Sequence, residues 1–241
     1  MREREPIPIV PSSDAEAQLW RTTAEVARLF ADWPWVLVGG LMVAILERER
    51  GVAPVRTTID VDALIDVRAL TQATRRAAVR LQGAGFVAEQ TADGLAYRFV
   101  RGQDIDDILA PDHLGTRTDI VTAPPGKTLE AVGGRQALER RRVVSVEVGG
   151  ETFAVPIPTL VGAIIIKARV AASSGQPKHR RDLARLLALV DDVEGMRAEM
   201  NSKERGYLRA RSELRDPRHS AWNGIRNAED AVIAFERLSE S

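Results

Sequence analysis

The sequence contains no cysteine and only three histidines. The absence of cysteine excludes disulfide frameworks, thiolate zinc sites and cysteine nucleophiles, and it fits a reducing compartment. The histidines, which are His113, His179 and His219, are dispersed along the chain and lack the i, i+4 pairing that binds zinc on a helix. Neither a thiolate site nor a paired-histidine zinc site is therefore expected.

The chain also lacks a charge excess and a long apolar run. Lys plus Arg and Asp plus Glu number 34 each, so overall charge gives no support for a nucleic-acid partner, although a local basic face is compatible with one. The longest apolar run, at 160–166, ends at Lys167 and is far short of a membrane span. The first ten residues do not resemble a signal peptide. We therefore expect a cytoplasmic protein with no membrane partner.

Short apolar segments alternate with helical patterns over the first two thirds of the chain, which predicts an α/β fold. Strand patterns occur at 35–38, 58–67, 86–89, 95–100 and 105–109, and a hairpin pattern occurs at 143–148 and 152–155. Helical patterns occur at 13–31, 41–50, 69–82 and 136–141. We therefore predict a mixed β-sheet with flanking helices.

The spacing of apolar residues changes near the second strand of the predicted hairpin. Residues 110–127 are rich in proline, glycine and threonine and are predicted to form a surface loop. After Pro156 and Pro158 the apolar spacing becomes helical and stays so to the end of the sequence. This change predicts an α/β domain over 1–156 and an α-helical domain over 157–241.

The segment 57–66, TTIDVDALID, places two aspartates in an otherwise apolar strand pattern. Alternate residues of a strand share a face, so Thr58, Asp60 and Asp62 are expected to line one face, while the residues between them, beginning with Ile59, pack on the other. The two carboxylates are about 7 Å apart along the backbone, close enough for their oxygens to converge on Mg²⁺. The alternative is an exposed edge strand with solvated aspartates.

Two neighbouring features favour the metal site. Gly39 and Gly40 lie at a predicted strand-to-helix turn, where backbone N–H groups can hold phosphate and bulky side chains would block its approach. A later strand pattern offers Asp106 and Asp107 as a third carboxylate. A phosphate cradle beside three carboxylates is the layout that metal-assisted attack on a nucleotide phosphate requires.

The segments VGGLMVAI and VRTTIDVD together resemble the signature of the nucleotidyltransferase fold. The resemblance is to its minimal bacterial branch and to the toxin-like nucleotidyltransferases of abortive-infection and toxin–antitoxin systems. The family pattern is an apolar residue and two glycines, then a helix, then R-x-T-x-D-h-D, in which h is apolar. The matching residues are Gly39, Gly40, Arg56, Thr58, Asp60 and Asp62. The resemblance implies that Asp107 is the third carboxylate, with Asp106 as the alternative.

The helical half resembles the same proteins in IPTLVGAIIIKARVA, which contains Lys167, and KHRRDLARLL, which contains Asp182. In the toxin-like members the lysine is expected to contact the triphosphate and the aspartate to complete the active site. Without the resemblance, these residues are also compatible with purely structural roles. Lys167 could extend to solvent from a half-buried helix, Asp182 could be a first-turn carboxylate favoured by the helix dipole, and Arg56 could be a loop charge.

The resemblance implies a nucleotidyltransferase-type sheet and a Mg²⁺-dependent enzyme that transfers a nucleoside monophosphate from an NTP to an acceptor. Asp60 and Asp62 would bind the metal, and Asp107 would bind metal or deprotonate the acceptor hydroxyl. Gly39 and Gly40 would cradle phosphate. The remaining implied site residues, which support or close the site, are Arg56, Thr58, Lys167 and Asp182.

The implied acceptor is a tRNA 3′ end, in a toxin with a cognate antitoxin protein as partner. A small molecule or a protein side chain is the alternative acceptor. A third hypothesis is a non-catalytic nucleotide-binding or partner-binding module. It is favoured by Leu41, because many family members carry a serine or threonine after the glycine pair, and its hydroxyl joins the phosphate contacts.

Overall fold

The computed structural model describes residues 5–54, 58–115 and 118–240. The first elements are β1 (Ile7–Ile9), α1 (Asp14–Leu29), β2 (Trp35–Leu37), α2 (Gly39–Glu49), β3 (Val61–Ile65), α3 (Ala73–Gly83), β4 (Val87–Glu89), β5 (Arg98–Arg101) and β6 (Asp104–Pro111). They are followed by β7 (Leu129–Ala131), α4 (Gly134–Glu139), β8 (Arg141–Val148) and β9 (Glu151–Pro158). The remainder is helical, with α5 (Leu160–Ser173), α6 (Pro177–Leu187), α7 (Val193–Ala198), α8 (Ser202–Arg209) and α9 (Ala228–Ser239).

The strands form two sheets, and the main one is mixed. Its order is β2-β3-β6-β5-β4, with β7 paired to the end of β6. The central β3 and β6 are parallel, whereas β2 and β5 run antiparallel to them. The second sheet has the order β1-β8-β9. The predicted α/β class with a mixed sheet followed by helices is therefore confirmed.

Several boundaries differ from the prediction. The hairpin is longer than expected, and Pro156 and Pro158 lie inside β9 rather than after it. Strands β1 and β7 have three residues each, too few to show a period. The division between 156 and 157 stays a prediction, and the hydrophobic core contains residues from both sides of it. Within the described part of the chain, no helix is both long enough and apolar enough to cross a membrane.

Helix α1 is tied to the main sheet by a buried carboxylate at the start of β6. Asp104 accepts hydrogen bonds of 2.8 Å from both Gln18 and Thr22 of α1. Arg101, its partner across the β5–β6 hairpin, pairs with Asp104 and with Glu25 of α1. Although burial opposes them, these hydrogen bonds hold the pKa of Asp104 below its ordinary value. Asp104 is therefore a stabilising group while it is ionised.

Replacing Asp104 by asparagine is expected to lower the free energy of unfolding by about 1–3 kcal/mol at neutral pH, because charge-assisted hydrogen bonds are lost. Since the pKa is lowered by folding, this stabilisation is present above the ordinary pKa of aspartate and is lost as the pH falls below about 4. Urea denaturation of both proteins between neutral and acid pH measures the difference. A difference that stays constant down to acid pH contradicts a stabilising role for the ionised carboxylate.

Candidate metal centre

Three carboxylates converge at one end of the two central strands. Asp62 of β3 lies opposite Asp107 of β6 in the parallel register, and Asp60 lies just before β3. One carboxylate oxygen from each residue lies within 4.8 Å of the others. Asp107 is buried, and Asp60 and Asp62 are half-buried. The structure thus brings together three of the predicted site residues in a group that could hold a metal ion.

Asp106, the alternative third carboxylate, lies on the opposite face of the sheet. Its neighbours across the strands are Val61 and Phe99, and all three side chains are fully buried. Within the described part of the chain, neither carboxylate oxygen of Asp106 has a hydrogen-bond partner. Burial, together with the charges of Asp107 and Asp62, raises the pKa of Asp106 well above its ordinary value. Asp106 therefore lies in the core, away from the cluster, where burial disfavours its charged form.

The segment before β3 differs from the predicted strand. The strand begins at Val61 rather than at 58, so Thr58 and Asp60 belong to the loop that enters it. Thr58 is buried and donates a hydrogen bond of 2.7 Å from Oγ1 to Oδ1 of Asp60. The expectation that Ile59 packs is wrong, because it precedes the sheet and is 68% exposed. Arg56 lies outside the described residues.

Among the three carboxylates, Asp62 is the one whose negative charge the described residues offset least. Burial, followed by the charges of Asp60 and Asp107, raises the pKa of Asp62 to about 7. The positive charges of Lys167 and Lys178 offset part of this effect. Among the described residues, none donates a hydrogen bond to its carboxylate. A bound cation is the counter-charge that such a group requires.

Arg98 is a site residue that the sequence reasoning missed. It lies on β5 opposite Asp107, and its Nε and Nη2 donate hydrogen bonds of 2.8 Å to the two carboxylate oxygens of Asp107. Its Nη2 is also 3.5 Å from Oδ2 of Asp60. The signal that could have found it is the two-residue turn at 102–103, because a hairpin around this turn pairs 98 with 107.

The glycine pair begins α2 directly against the cluster. Gly39 has a φ of +69°, and a Cβ at this position would lie 1.7 Å from Oδ2 of Asp62. A Cβ on Gly40 would lie 2.8 Å from Oγ1 of Thr58. No side chain caps the start of this helix at Val38. The first N–H groups of a helix lack intrahelical acceptors, and among the described residues no side chain accepts from these, so they can bind an anion beside the carboxylates.

Replacing Gly39 by alanine is expected to displace the Asp62 carboxylate and to weaken Mn²⁺ binding by at least about tenfold, because one ligand is lost. Gly51→Ala is the matched control, since Gly51 has a φ of +68° and no atom within 4 Å of an added Cβ. Both variants carry the cost of a left-handed alanine, of order 1–3 kcal/mol. Metal titration of both variants separates the displacement of the Asp62 carboxylate from the backbone strain that both variants share. Equal Mn²⁺ affinity in the two contradicts a role for Gly39 in the site.

Lys167 and Asp182 form a buried ion pair between α5 and α6. Their side chains are 6% and 1% exposed, and Nζ donates a hydrogen bond of 2.7 Å to Oδ2. Lys167 therefore does not extend to solvent, and Asp182 is not a solvated first-turn carboxylate. Arg185 lies 3.7 Å from the other oxygen of Asp182 and forms a buried pair with Glu47 of α2. This chain of charges links the helical half to the helix that begins at the glycine pair.

No family model matches the chain, and no curated protein matches it. The resemblance to nucleotidyltransferases therefore rests on the residues of the sequence motifs alone.

Proposed function

We propose that the protein is a Mg²⁺-dependent nucleotidyltransferase that transfers a nucleoside monophosphate from an NTP to an acceptor and releases pyrophosphate. The observation that carries the proposal is the convergence of Asp60, Asp62 and Asp107 beside the uncapped start of α2. Nucleotidyl transfer needs a cation site and a phosphate site next to each other, because the metal bridges protein carboxylates and phosphate oxygens.

The donor set fits a hard divalent cation. All three groups are carboxylates, which are ligands that Mg²⁺ and Mn²⁺ accept, whereas softer metals favour nitrogen and sulfur. The raised pKa of Asp62 supports the same conclusion, because burial and the neighbouring carboxylates disfavour its negative charge, which a bound cation would offset. When bound, the metal would neutralise charge on the phosphates and the leaving pyrophosphate.

The phosphate site is supported by backbone and hydroxyl groups. The first N–H groups of α2 would receive phosphate oxygens, and the glycines leave room for them. Leu41 supplies no hydroxyl and is buried in the core. The Thr58 hydroxyl, however, lies beside Gly40, so a hydroxyl is present next to the glycine pair. This arrangement favours an enzyme over a non-catalytic binding module.

In the proposed reaction an acceptor hydroxyl oxygen attacks the α-phosphorus of the NTP. The bond from this phosphorus to the bridging oxygen breaks, and pyrophosphate leaves with the electron pair. Asp60 and Asp62 would hold the metal, and Asp107 would bind metal or accept the proton of the hydroxyl. Lys167, held by Asp182, brings positive charge towards the site from the helical half. Arg56 is proposed to support phosphate binding.

The proposed acceptor is a tRNA 3′ end, and the proposed biological role is that of a toxin with a cognate antitoxin. The supporting observation is the basic first part of α6, where Lys178 is near enough to act on the pKa of Asp62 and Arg181 is exposed. Cations at the start of a helix oppose its dipole, and an anionic ligand offsets this cost. A small molecule or a protein side chain is the alternative acceptor.

The test is incubation of the purified protein with each NTP labelled at the α-phosphate, with Mg²⁺ and bulk tRNA. We expect label on the tRNA from one or more NTPs, and its destination identifies the acceptor class. Asp66→Asn is the matched control for changes at Asp60, because Asp66 ends the same segment and its carboxylate accepts a turn hydrogen bond from the N–H of Arg68. Absence of transfer to RNA, protein or small molecules contradicts the proposal.

A further inference from the structure

The three carboxylates of the cluster are not equally available to metal ions. The Arg98 guanidinium donates hydrogen bonds to both carboxylate oxygens of Asp107 and lies 3.5 Å from Oδ2 of Asp60, whereas it makes no hydrogen bond with Asp62. Paired, fork-shaped hydrogen bonds of this kind are among the strongest that a carboxylate forms. The guanidinium therefore already provides a cation on the Asp60 and Asp107 side of the cluster.

The charges of the site favour one further divalent cation. Within the described part of the chain, Arg98 is the cation that contacts these carboxylates, so it offsets one of the three negative charges that they carry when ionised and leaves the charge that a single divalent ion neutralises. Lys167 and Lys178 also act on Asp62, but more weakly than its carboxylate neighbours do, and Lys167 is paired with Asp182. A second divalent ion bound by the same carboxylates beside Arg98 would leave excess positive charge in a half-buried site, which is costly in free energy.

We propose that Arg98 takes the place of one metal ion, so that the protein without nucleotide binds a single divalent cation, held by Asp60 and Asp62. Arg98 stays bound to Asp107 and acts as a positioning residue that sets the metal stoichiometry. This inference rests on the proposed metal site of the nucleotidyltransferase and adds to it the number of ions that the protein itself holds. Further ions enter only with the negative charge of a bound nucleotide.

Arg101 provides a matched control on the same strand. Its side chain is 32% exposed, as is that of Arg98, and it also contacts two carboxylates, which are Glu25 and Asp104. Because it is an odd number of residues away, it lies on the other face of the sheet, away from the metal centre. Arg101→Met therefore removes a comparable pair of contacts without changing the charge of the cluster.

The experiment is titration of the full-length protein with Mn²⁺ in the absence of nucleotide, with the free ion followed by electron paramagnetic resonance. We expect one bound ion per chain for the wild type and for Arg101→Met. Arg98→Met is expected to bind a second ion, or the first at least about tenfold more tightly, because a unit positive charge has been removed nearby. Arg98→Lys retains the charge and is expected to bind one ion.

Each outcome of the titration either supports or contradicts the single-ion inference. Two ions on the wild type overturn the inference and leave the proposed function standing, and this measurement requires no variant to fold. Equal stoichiometry and affinity for Arg98→Met and Arg101→Met also overturn it, since Arg98 then has a structural role only. No Mn²⁺ binding by the wild type overturns the proposed metal site and this inference together.

Discussion

The Asp62→Asn variant is expected to lose nucleotide transfer by at least about a thousandfold, because metal-assisted stabilisation of several kcal/mol depends on this ligand. Asp62 is the member of the cluster with no competing hydrogen bond among the described residues, so its loss removes the most available metal ligand. The same variant is expected to lose Mn²⁺ binding. Transfer of labelled NMP and Mn²⁺ titration measure the two effects independently.

Unfolding of the Asp62→Asn variant does not account for the expected loss of transfer and of Mn²⁺ binding. The pKa of Asp62 is raised first by burial and then by its carboxylate neighbours, so its negative charge costs free energy in the folded protein. The Asp62→Asn protein should therefore melt at the same temperature as the wild type or higher when metal is absent. Asp66→Asn is expected to retain transfer. Wild-type transfer by a well-folded Asp62→Asn protein would show that the cluster does not carry the chemistry.

The Arg185→Met variant is expected to lose about 3–5 kcal/mol of unfolding free energy, because it leaves a buried charge uncompensated. Arg185 hydrogen-bonds both oxygens of Glu47, and the two side chains are 8% and 2% exposed. Asp182 also loses a positive neighbour at 3.7 Å. Urea denaturation monitored by circular dichroism measures the loss. A cost below about 1 kcal/mol, the usual value for an exposed pair, contradicts a stabilising role for the buried pair.

A double variant distinguishes the contribution of the ion pair itself from the cost of leaving one of its charges unpaired in the core. Glu47→Met combined with Arg185→Met is expected to recover much of the lost stability, because a buried ion pair replaced by apolar side chains of similar size is often neutral. The exposed pair Arg28 and Glu151, with side chains 54% and 61% exposed, provides the contrast. Arg28→Met should cost no more than about 1 kcal/mol. Equal losses in the single and double variants indicate that Arg185 contributes by packing instead.

The glycine pair and the two aspartates near 60 could be predicted because their chemistry is local. A strand-to-helix turn and a strand entrance are each encoded in a few neighbouring residues, and an i, i+2 spacing brings side chains to one side of an extended segment. This reasoning led to Gly39, Gly40, Asp60 and Asp62, which lie together in the structure. It began the strand three residues too early and ended it two residues too late, because the local sequence pattern does not show where pairing with neighbouring strands begins and ends.

Pairing across strands was decided only by the tertiary structure. Asp106 and Asp107 have nearly the same local sequence, and a shift of one residue in the register of β6 would exchange their faces. The register with β3 and β5 places Asp107 with the cluster and buries Asp106 between Val61 and Phe99. The residues alone named both candidates; the preference for Asp107 came from the family resemblance, and the strand register agrees with it.

The cationic side of the site likewise depended on contacts between distant segments. Lys167 and Asp182 were found by resemblance, but their ion pair, and its link through Arg185 to Glu47, require α5, α6 and α2 to pack together. Composition and periodicity determined the α/β class and the acidic motif, since these depend on local patterns. Only the packing of the folded chain determined which cation faces which carboxylate, because ion pairs depend on distances between side chains that can be far apart in the sequence.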